Sequence, residues 1–543
     1  MPDMRSRFFP QDYILIWLAL VLMGLSCRPL TPVDETRAVS VAWEMWQRGD
    51  FLVPHLNGLP YSHKPPLLQW CIHLFWSLFG VSEGNARLVA PLFALGNLVL
   101  TAKLSRRLWP DDETSPKMAP LILLGLPVWA LWTSLTLYDM LATFFTLLAL
   151  HGIIRAAQGG TRLGWMMTAL AIGAGILSKG PAILIMILPP ALFAPWWLES
   201  RPENGWRNWY VLALGAFLVG VLIALAWAIP AGISGGEEYR SLIFWGQTAG
   251  RISHSFAHDR PFWWYFTVLP MVCLPWIFWP PLWRSAKGLA LDTGLRFCAV
   301  QSLTALALFS MVSAKQIHYL LPIFPALALL ASRALTLACP LVGRKDQIPF
   351  GLMMILLVVL FLLFPLLGWV LTTKEAAEIL VNIPLSVKLP VLSLGVLVLV
   401  LRPRTPLVGV RCLSWAMLGL MLGVHLIFIQ VGWPYYSMQT FADRLAALEK
   451  QDAPIAYWGK YNGDFNFLGR LQQPLVDIRD KQKLWDWLNI HGQGYVVLVR
   501  HPDASVSEDG AIFAQFYRGS RRIMLWKSTD LIRHPENFQR LLD

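Results

Sequence analysis

Ionisable residues in this chain gather where its apolar runs begin and end. Asp34 and Glu35 follow the first apolar run, in CRPLTPVDETR, and Tyr61, His63 and Lys64 stand just before Pro65-Pro66. Tyr138 and Asp139 open another run in LYDMLATFF, Ser178 and Lys179 close the next in SKGP, and Lys315, His318 and Tyr319 share SAKQIHYLLP. A further group, Arg251, His254, His258, Asp259 and Arg260, lies in a glycine- and charge-rich stretch. Such a set suits a lipid-linked anionic substrate. Lys64, Lys179, Lys315 and Arg260 supply charge-assisted donors for a phosphate at headgroup depth. The same cations stabilise the charge that develops when a phosphate leaves. A carboxylate beside them serves as general base on an acceptor hydroxyl or orients a lysine. Taken singly, each residue has a plainer reading: Lys179 and Lys315 as snorkelling helix ends, Asp139 as a helix cap, Asp34-Glu35 as a solvated pair opening a helix.

The elements that must position these residues follow from composition. Of 543 residues, 56% are hydrophobic and 14% charged, against about 25% charged in a soluble domain. Mean hydropathy is +0.50, which leaves too little polar surface for a water-soluble particle of this size. An ordinary cytosolic protein, a disordered chain and a small secreted module are excluded, and a polytopic α-helical membrane protein is expected. The 27 Trp and 38 Pro agree, since Trp concentrates at bilayer interfaces and Pro is tolerated in spanning helices. The net charge of +12 fits basic cytoplasmic loops. No basic tract with interleaved aromatics points to nucleic acid. The six Cys stand singly, without a C-x-x-C pair, so buried inert thiols are expected rather than a disulfide or zinc framework.

Thirteen apolar stretches are long enough to cross a bilayer: near 11–27, 87–104, 118–135, 138–155, 163–178, 181–198, 208–230, 262–283, 296–313, 317–338, 348–371, 386–401 and 412–430. The first is expected to be a span rather than a cleaved signal, because no small-x-small site precedes Arg28. With the N-terminus inside, each cytoplasmic loop is basic, for example Arg106 and Arg107, Arg155 and Arg162, or Arg284 and Lys287. The shorter run 66–80 is expected to lie along the interface; as a span it would put the later basic loops outside. Three segments then fall outside: 28–86, a flexible loop 231–261, and the tail 434–543. Residues 1–433 form the membrane part. The tail alternates short apolar runs (APIAYW, PLVDI, GYVVLV, AIFAQFY, RIMLW) with a polar helical stretch at 480–490, the pattern of a small α/β domain. A structural lid is its expected role ahead of a part in chemistry. On this topology the lysines and acids share one side of the membrane, and the site reads as transfer of a group from a polyprenyl phosphate at the outer leaflet.

At these residues the chain resembles the GT-C glycosyltransferases, in particular the aminoarabinose-transferase-like branch that uses undecaprenyl-phosphate sugars. The resemblance rests on PVDETR, RGDFLVPHLNGLPYSHKPPL, LYDMLATFF, SKGP and SAKQIHYLLPIFPALALLAS, in that order over residues 31–332. It implies a GT-C architecture with interfacial helices in the first periplasmic loop, in a bacterial inner membrane, with site and C-terminus periplasmic. It implies Asp34 as the essential acid of the first loop beside Glu35, Lys64 on the donor phosphate, Asp139 as a second acid, Lys179 as the lysine after the fifth span, and Tyr319 near the donor cavity. Tyr61, His318, Lys315 and Arg260 complete the expected substrate-binding set. The lipid A enzyme usually reads E-K-P where this chain reads His63-Lys64-Pro65. No cofactor is required on this reading. A divalent cation would have Asp34, Glu35, His63 and His258 as candidate ligands, although no spacing motif demands one.

The expected activity is inverting transfer of one sugar from undecaprenyl phosphate to lipid A, lipopolysaccharide or another glycolipid, with membrane lipids as surroundings. Two alternatives stand beside it. Transfer to protein Ser/Thr, as in protein O-mannosyltransferases, shares the acidic first loop. A lipid-linked sugar flippase would need ionisable groups near the bilayer midplane, whereas these sit at one edge.

Overall fold

In the computed structural model the described residues are 11–246, 260–287, 289–338, 341–371, 383–500, 510–519 and 521–533. The first helix, α1 (Gln11–Ser26), leads into α2 (Asp34–Arg48), whose first turn carries Asp34 and Glu35. A two-stranded hairpin, β1 (His55–Leu56) and β2 (Leu59–Pro60), turns at Asn57-Gly58 with both φ values positive, as a two-residue hairpin loop requires. The next helix, α3 (Leu67–Phe79), has 13 residues, about 20 Å, too short for a hydrocarbon core of about 30 Å. It buries Leu68, Ile72 and Trp76 against α2, while Leu78 and Phe79 are 65% and 67% exposed, as an interfacial helix would present them.

Beyond it, α4 (Glu83–Arg87) and α5 (Val89–Leu108) run on as one apolar column capped by Ser82, whose Oγ accepts from Asn85 N at 3.1 Å. Among the described residues six helices are long and apolar enough to cross a membrane unaided, and the molecule is a multi-pass membrane protein.

Three expected spans break into separate short helices. Residues 118–135 divide into α6 (Ser115–Leu124) and α7 (Pro127–Trp132). Residues 181–198 divide into a 3-10 turn at Pro181–Ile183, α10 (Leu184–Leu192) and α11 (Ala194–Trp197). Residues 262–283 break into Trp264–Val272, a 3-10 turn Trp276–Phe278 and Pro280–Ala286. Proline stands at the breaks in each: Pro127, Pro181 and Pro195, and Pro275 and Pro280 remove backbone donors and crowd the preceding turn.

Two helices decide where the charged residues meet. Helix α8 (Asp139–Ala157) and helix α9 (Thr161–Lys179) form an antiparallel hairpin closed by Gln158, Gly159 and Gly160. Each is about 28 Å long, so Asp139 and Lys179 share one end while Arg155 and Arg162 share the other. Gly152 and Gly164 let the two backbones touch: a Cβ at Gly152 would lie 2.5 Å from the Gly164 carbonyl oxygen. Helix α12 (Gly205–Ser234) packs on α9 and sends its outer face to lipid.

The five apolar runs of the tail occupy five strands: β3 (Ile455–Trp458), β4 (Val476–Ile478), β5 (Tyr495–Arg500), β6 (Phe513–Tyr517) and β7 (Arg521–Lys527). Their order is β4-β3-β5-β7-β6. Strand β3 is parallel to both β4 and β5, and β7 is antiparallel to β5 and β6. Helix Gln439–Glu449 buries Phe441 and Leu445 on one face of the sheet, and helix Lys481–Ile490 buries Leu484 and Leu488 on the other.

Replacing Gly164 by Leu should wedge α9 away from α8 at a cost of about 1–3 kcal/mol. A thermal melt of the detergent-solubilised protein checks this; an unchanged melting temperature would mean the hairpin does not depend on backbone contact there.

Candidate functional site

The end of the α8–α9 hairpin brings the first two charges together. Lys179 Nζ is ion-paired with Asp139, both largely buried, and lies 5.0 Å from the ring centroid of Tyr319. Tyr319 follows His318, whose ring stacks on Trp132 at 5.6 Å and meets Tyr319 edge-on at 4.8 Å. Lys64 arrives from the first loop and sits 5.9 Å from the Tyr138 ring. Tyr138 is held from below by Gln69 of α3, whose Nε2 donates to its hydroxyl at 2.7 Å. Lys64 and Lys179 both act electrostatically on Asp139, and Asp34 acts on Tyr138 and His318. Residues more than 280 positions apart in sequence thus share one field.

Beside this cluster opens a cavity of about 580 Å³, within the range of small-molecule sites. Its polar rim carries His63, Lys64, Lys179 and Tyr319. Its walls are apolar, from α9, α10, α12 and the segment at Ile243 and Phe244. Tyr61 lies just behind the rim, its ring 5.0 Å from that of His63.

The two acids of the first loop part company. Consecutive residues on a helix point about 100° apart, so Asp34 is 72% exposed and pairs with Arg37 one turn on, while Glu35 is 1% exposed. Glu35 does not line the cavity. It is ion-paired with Arg28, and its oxygens accept from Thr31 N at 3.1 Å, Thr31 Oγ1 at 2.6 Å and Thr136 N at 2.7 Å. Burial would raise its carboxyl, but the Arg28 charge and hydrogen bonds, with Arg87 behind them, hold it below the usual range. Arg28 also donates to the Ser134 carbonyl at 2.8 Å. Glu35 therefore ties α2 to the segment 134–136, three residues before Asp139.

Lys315 is also turned inward. Its Nζ donates to the carbonyls of Arg260 at 2.9 Å and Val312 at 2.5 Å, and only its neighbours Val312 and Ala314 line the cavity. Arg260 is exposed, 5.9 Å from the Trp264 ring. Arg251, His254, His258 and Asp259 lie outside the described residues. Among the described residues no group of three or more His, Cys, Asp or Glu is placed to hold a metal ion, so Asp34, Glu35 and His63 do not assemble one.

The sequence reading did not single out Arg28 or Arg87. Arg87 donates to the carbonyls of Gly24 at 2.6 Å and Arg28 at 2.8 Å, closing the first loop on α1. The signal was available: an arginine at the mouth of an apolar run, seven residues before a carboxylate.

Comparison with known proteins defines first the class. The fold matches ArnT from Cupriavidus metallidurans in the apo state with a TM-score of 0.74, at 20% identity, over 94% of this chain and 96% of that one. The same protein bound to undecaprenyl phosphate matches at 0.72 and 19% identity, over 94% and 97%. An Archaeoglobus fulgidus oligosaccharyltransferase matches more loosely, at 0.52 and 11% identity, over 91% of this chain and 70% of that one. The fold is helical and GT-C-like.

Sequence narrows this. A family model described as dolichyl-phosphate-mannose-protein mannosyltransferase matches residues 63–233. An undecaprenyl phosphate-alpha-4-amino-4-deoxy-L-arabinose arabinosyl transferase of Pseudomonas paraeruginosa is 32% identical over 320 residues, 58% of this chain and 57% of that relative. Its namesake in an Enterobacter species is 28% identical over 341 residues, 61% and 60%. The chain thus spans about three-fifths of the length of the curated relatives it matches. It is aminoarabinose-transferase-like in sequence over that part, and ArnT-like in fold over nearly all of its length.

Glu35→Gln should strand the Arg28 charge in the interior and cost about 3–5 kcal/mol. Asp34→Asn, at an exposed pair, should change stability by less than about 1 kcal/mol. Thermal unfolding of the two variants side by side checks the contrast.

Proposed function

We propose that this protein is a membrane glycosyltransferase that moves one sugar from undecaprenyl phosphate to lipid A or another glycolipid at the periplasmic face of the bacterial inner membrane. One observation carries the reading. Two lysines from distant segments, Lys64 and Lys179, share the rim of an apolar-walled cavity with Asp139 alongside. The names of the relatives, and the undecaprenyl phosphate held by the Cupriavidus protein, support the donor class.

On this reading Lys64 and Lys179 grip the donor phosphate and stabilise its charge as it leaves. The apolar walls take the first isoprene units. Asp34, the exposed carboxylate, accepts the proton of the acceptor hydroxyl. That oxygen attacks the anomeric carbon as the bond from this carbon to the phosphate oxygen breaks, and polyprenyl phosphate departs. A single displacement inverts the anomeric centre. Asp139 orients Lys179, Glu35 positions the acidic loop, Lys315 holds the backbone that carries Arg260, and Tyr61, His318 and Tyr319 shape the donor end.

Thirteen membrane crossings, some made by broken helices, put this rim and the tail outside, with 1–433 as the membrane part and 434–543 as the tail. The mannosyltransferase family match over 63–233 favours a second reading, in which the acceptor is a protein hydroxyl.

Asp34→Asn and Lys64→Ala should each lower transfer at least about 100-fold while insertion stays normal. The assay is proteoliposomes supplied with undecaprenyl-phosphate sugar; full rates in both variants would remove the proposed site. Because lysines supply the positive charge, EDTA should leave the wild-type rate within about twofold in the same assay, and a collapse restored by Mg²⁺ or Mn²⁺ would put a cation in the site. Mass spectrometry of envelope glycolipids, with and without the protein, separates lipid from protein acceptors.

A further inference from the structure

The connection from β3 to β4 leaves the tail's sheet and lies along α2. Thr36 Oγ1 donates to Asp464 Oδ1 at 2.9 Å. Ser40 Oγ donates to the Gly463 carbonyl at 2.7 Å and accepts from Phe467 N at 3.1 Å. Trp43 Nε1 donates to the Leu471 carbonyl at 3.0 Å, and Asn466 Nδ2 donates to Glu44 Oε1 at 3.0 Å. Thr36, Ser40, Trp43 and Glu44 follow the i, i+4, i+7, i+8 spacing of a single helix face. On a face turned to another domain that stripe is ordinarily apolar; here Thr36, Ser40, Glu44, Asp464 and Asn466 are polar and buried.

Each side of the contact is braced. On the tail side Tyr517 of β6 donates to Asp464 Oδ2 at 2.9 Å, and Tyr461 donates to Asn466 Oδ1 at 2.6 Å. On the loop side Glu44 also takes the N–H groups of Asn57 and Gly58. Gly463 has φ +82°, which favours glycine, and a Cβ there would stand 2.5 Å from Leu56 Cδ1 and 3.3 Å from Ser40 Cβ, so the tail's backbone packs directly on these two side chains. Burial pushes the carboxyls of both Glu44 and Asp464 above the usual range. Two carboxyls held at that disadvantage are a poor means of adhesion. They are a good means of fixing register, since sliding α2 by one residue against the tail would break the hydrogen bonds from Thr36 to Asp464 and from Asn466 to Glu44.

We infer that Asp464 is a positioning residue of the transfer site: through Thr36 it fixes the rotation and height of α2, and so sets where Asp34, two residues before Thr36, stands relative to Lys64 and Lys179. The tail is then part of the working machinery rather than a cover. The inference rests on the proposed role of Asp34.

The test compares full-length Asp464→Ala, Thr36→Val and Thr36→Ser with wild type in proteoliposomes supplied with undecaprenyl-phosphate sugar. Asp464→Ala and Thr36→Val should lower kcat at least tenfold and leave the donor KM within twofold, because Lys64 and Lys179 lie off the contact. Thr36→Ser, which keeps the hydroxyl, should restore kcat to within threefold. Independently of turnover, spin labels on Gln47 of α2 and Ser241 near the cavity should show a shifted or broadened distance in Asp464→Ala. An unchanged kcat in both disruptive variants, equal losses in Thr36→Val and Thr36→Ser, or an unchanged label distance would overturn the inference. A wild-type protein that turns over no such donor would instead sink the functional reading, and the label distance would still decide the positioning.

Discussion

Charge at the edge of a bilayer persists only with a partner, and this constraint organises the molecule. Removing an ion from water costs several kcal/mol even after relaxation. The buried charges at this end of the molecule meet that cost in different ways. Arg28 and Glu35 neutralise each other and add hydrogen bonds to Thr31, Ser134 and Thr136. Asp139 and Lys179 pair across the α8–α9 hairpin. The first pair is saturated and closed. The second stands at an open cavity, with Lys64 within electrostatic reach. On the proposed function, two lysines at the rim of an apolar-walled cavity suit an anion with a hydrocarbon tail.

The remaining elements hold that arrangement in place. Glycines at the α8–α9 crossing let two helices run close enough for their ends to pair. Prolines break three membrane segments into short helices and turns, and the second of these breaks, at Gly180-Pro181, lies in the cavity wall. The first loop is fastened at three points: by Arg87 to the end of α1, by Glu35 to the approach to Asp139, and by Thr36, Ser40 and Glu44 to the tail. The loop that carries Asp34 and Lys64 is thus rigidly set although it lies outside the spanning helices.

Much of this was legible in the chain. Composition declared a membrane protein. The alternating runs of the tail declared a small α/β pattern, because strand periodicity is local and the tail's runs are short and bounded. Lys64, Asp139, Lys179 and Tyr319 were legible as a group because each stands at the end of an apolar run, where a charge is costly without cause. Less legible was what each did. Lys315 has the same setting as Lys179, yet its ammonium caps the carbonyls of Arg260 and Val312. Asp34 and Glu35 are neighbours of like charge, yet one pairs with Arg37 at the surface and the other with Arg28 in the interior.

The sequence by itself determined which residues are ionisable at a membrane edge and which segments are apolar, since both depend on side-chain chemistry and local periodicity. Only the tertiary structure decided which way each charge points and with whom it pairs. Helix rotation, proline breaks and contacts across more than 400 residues, such as Thr36 with Asp464, are set by packing, and packing depends on partners that no local stretch of sequence contains.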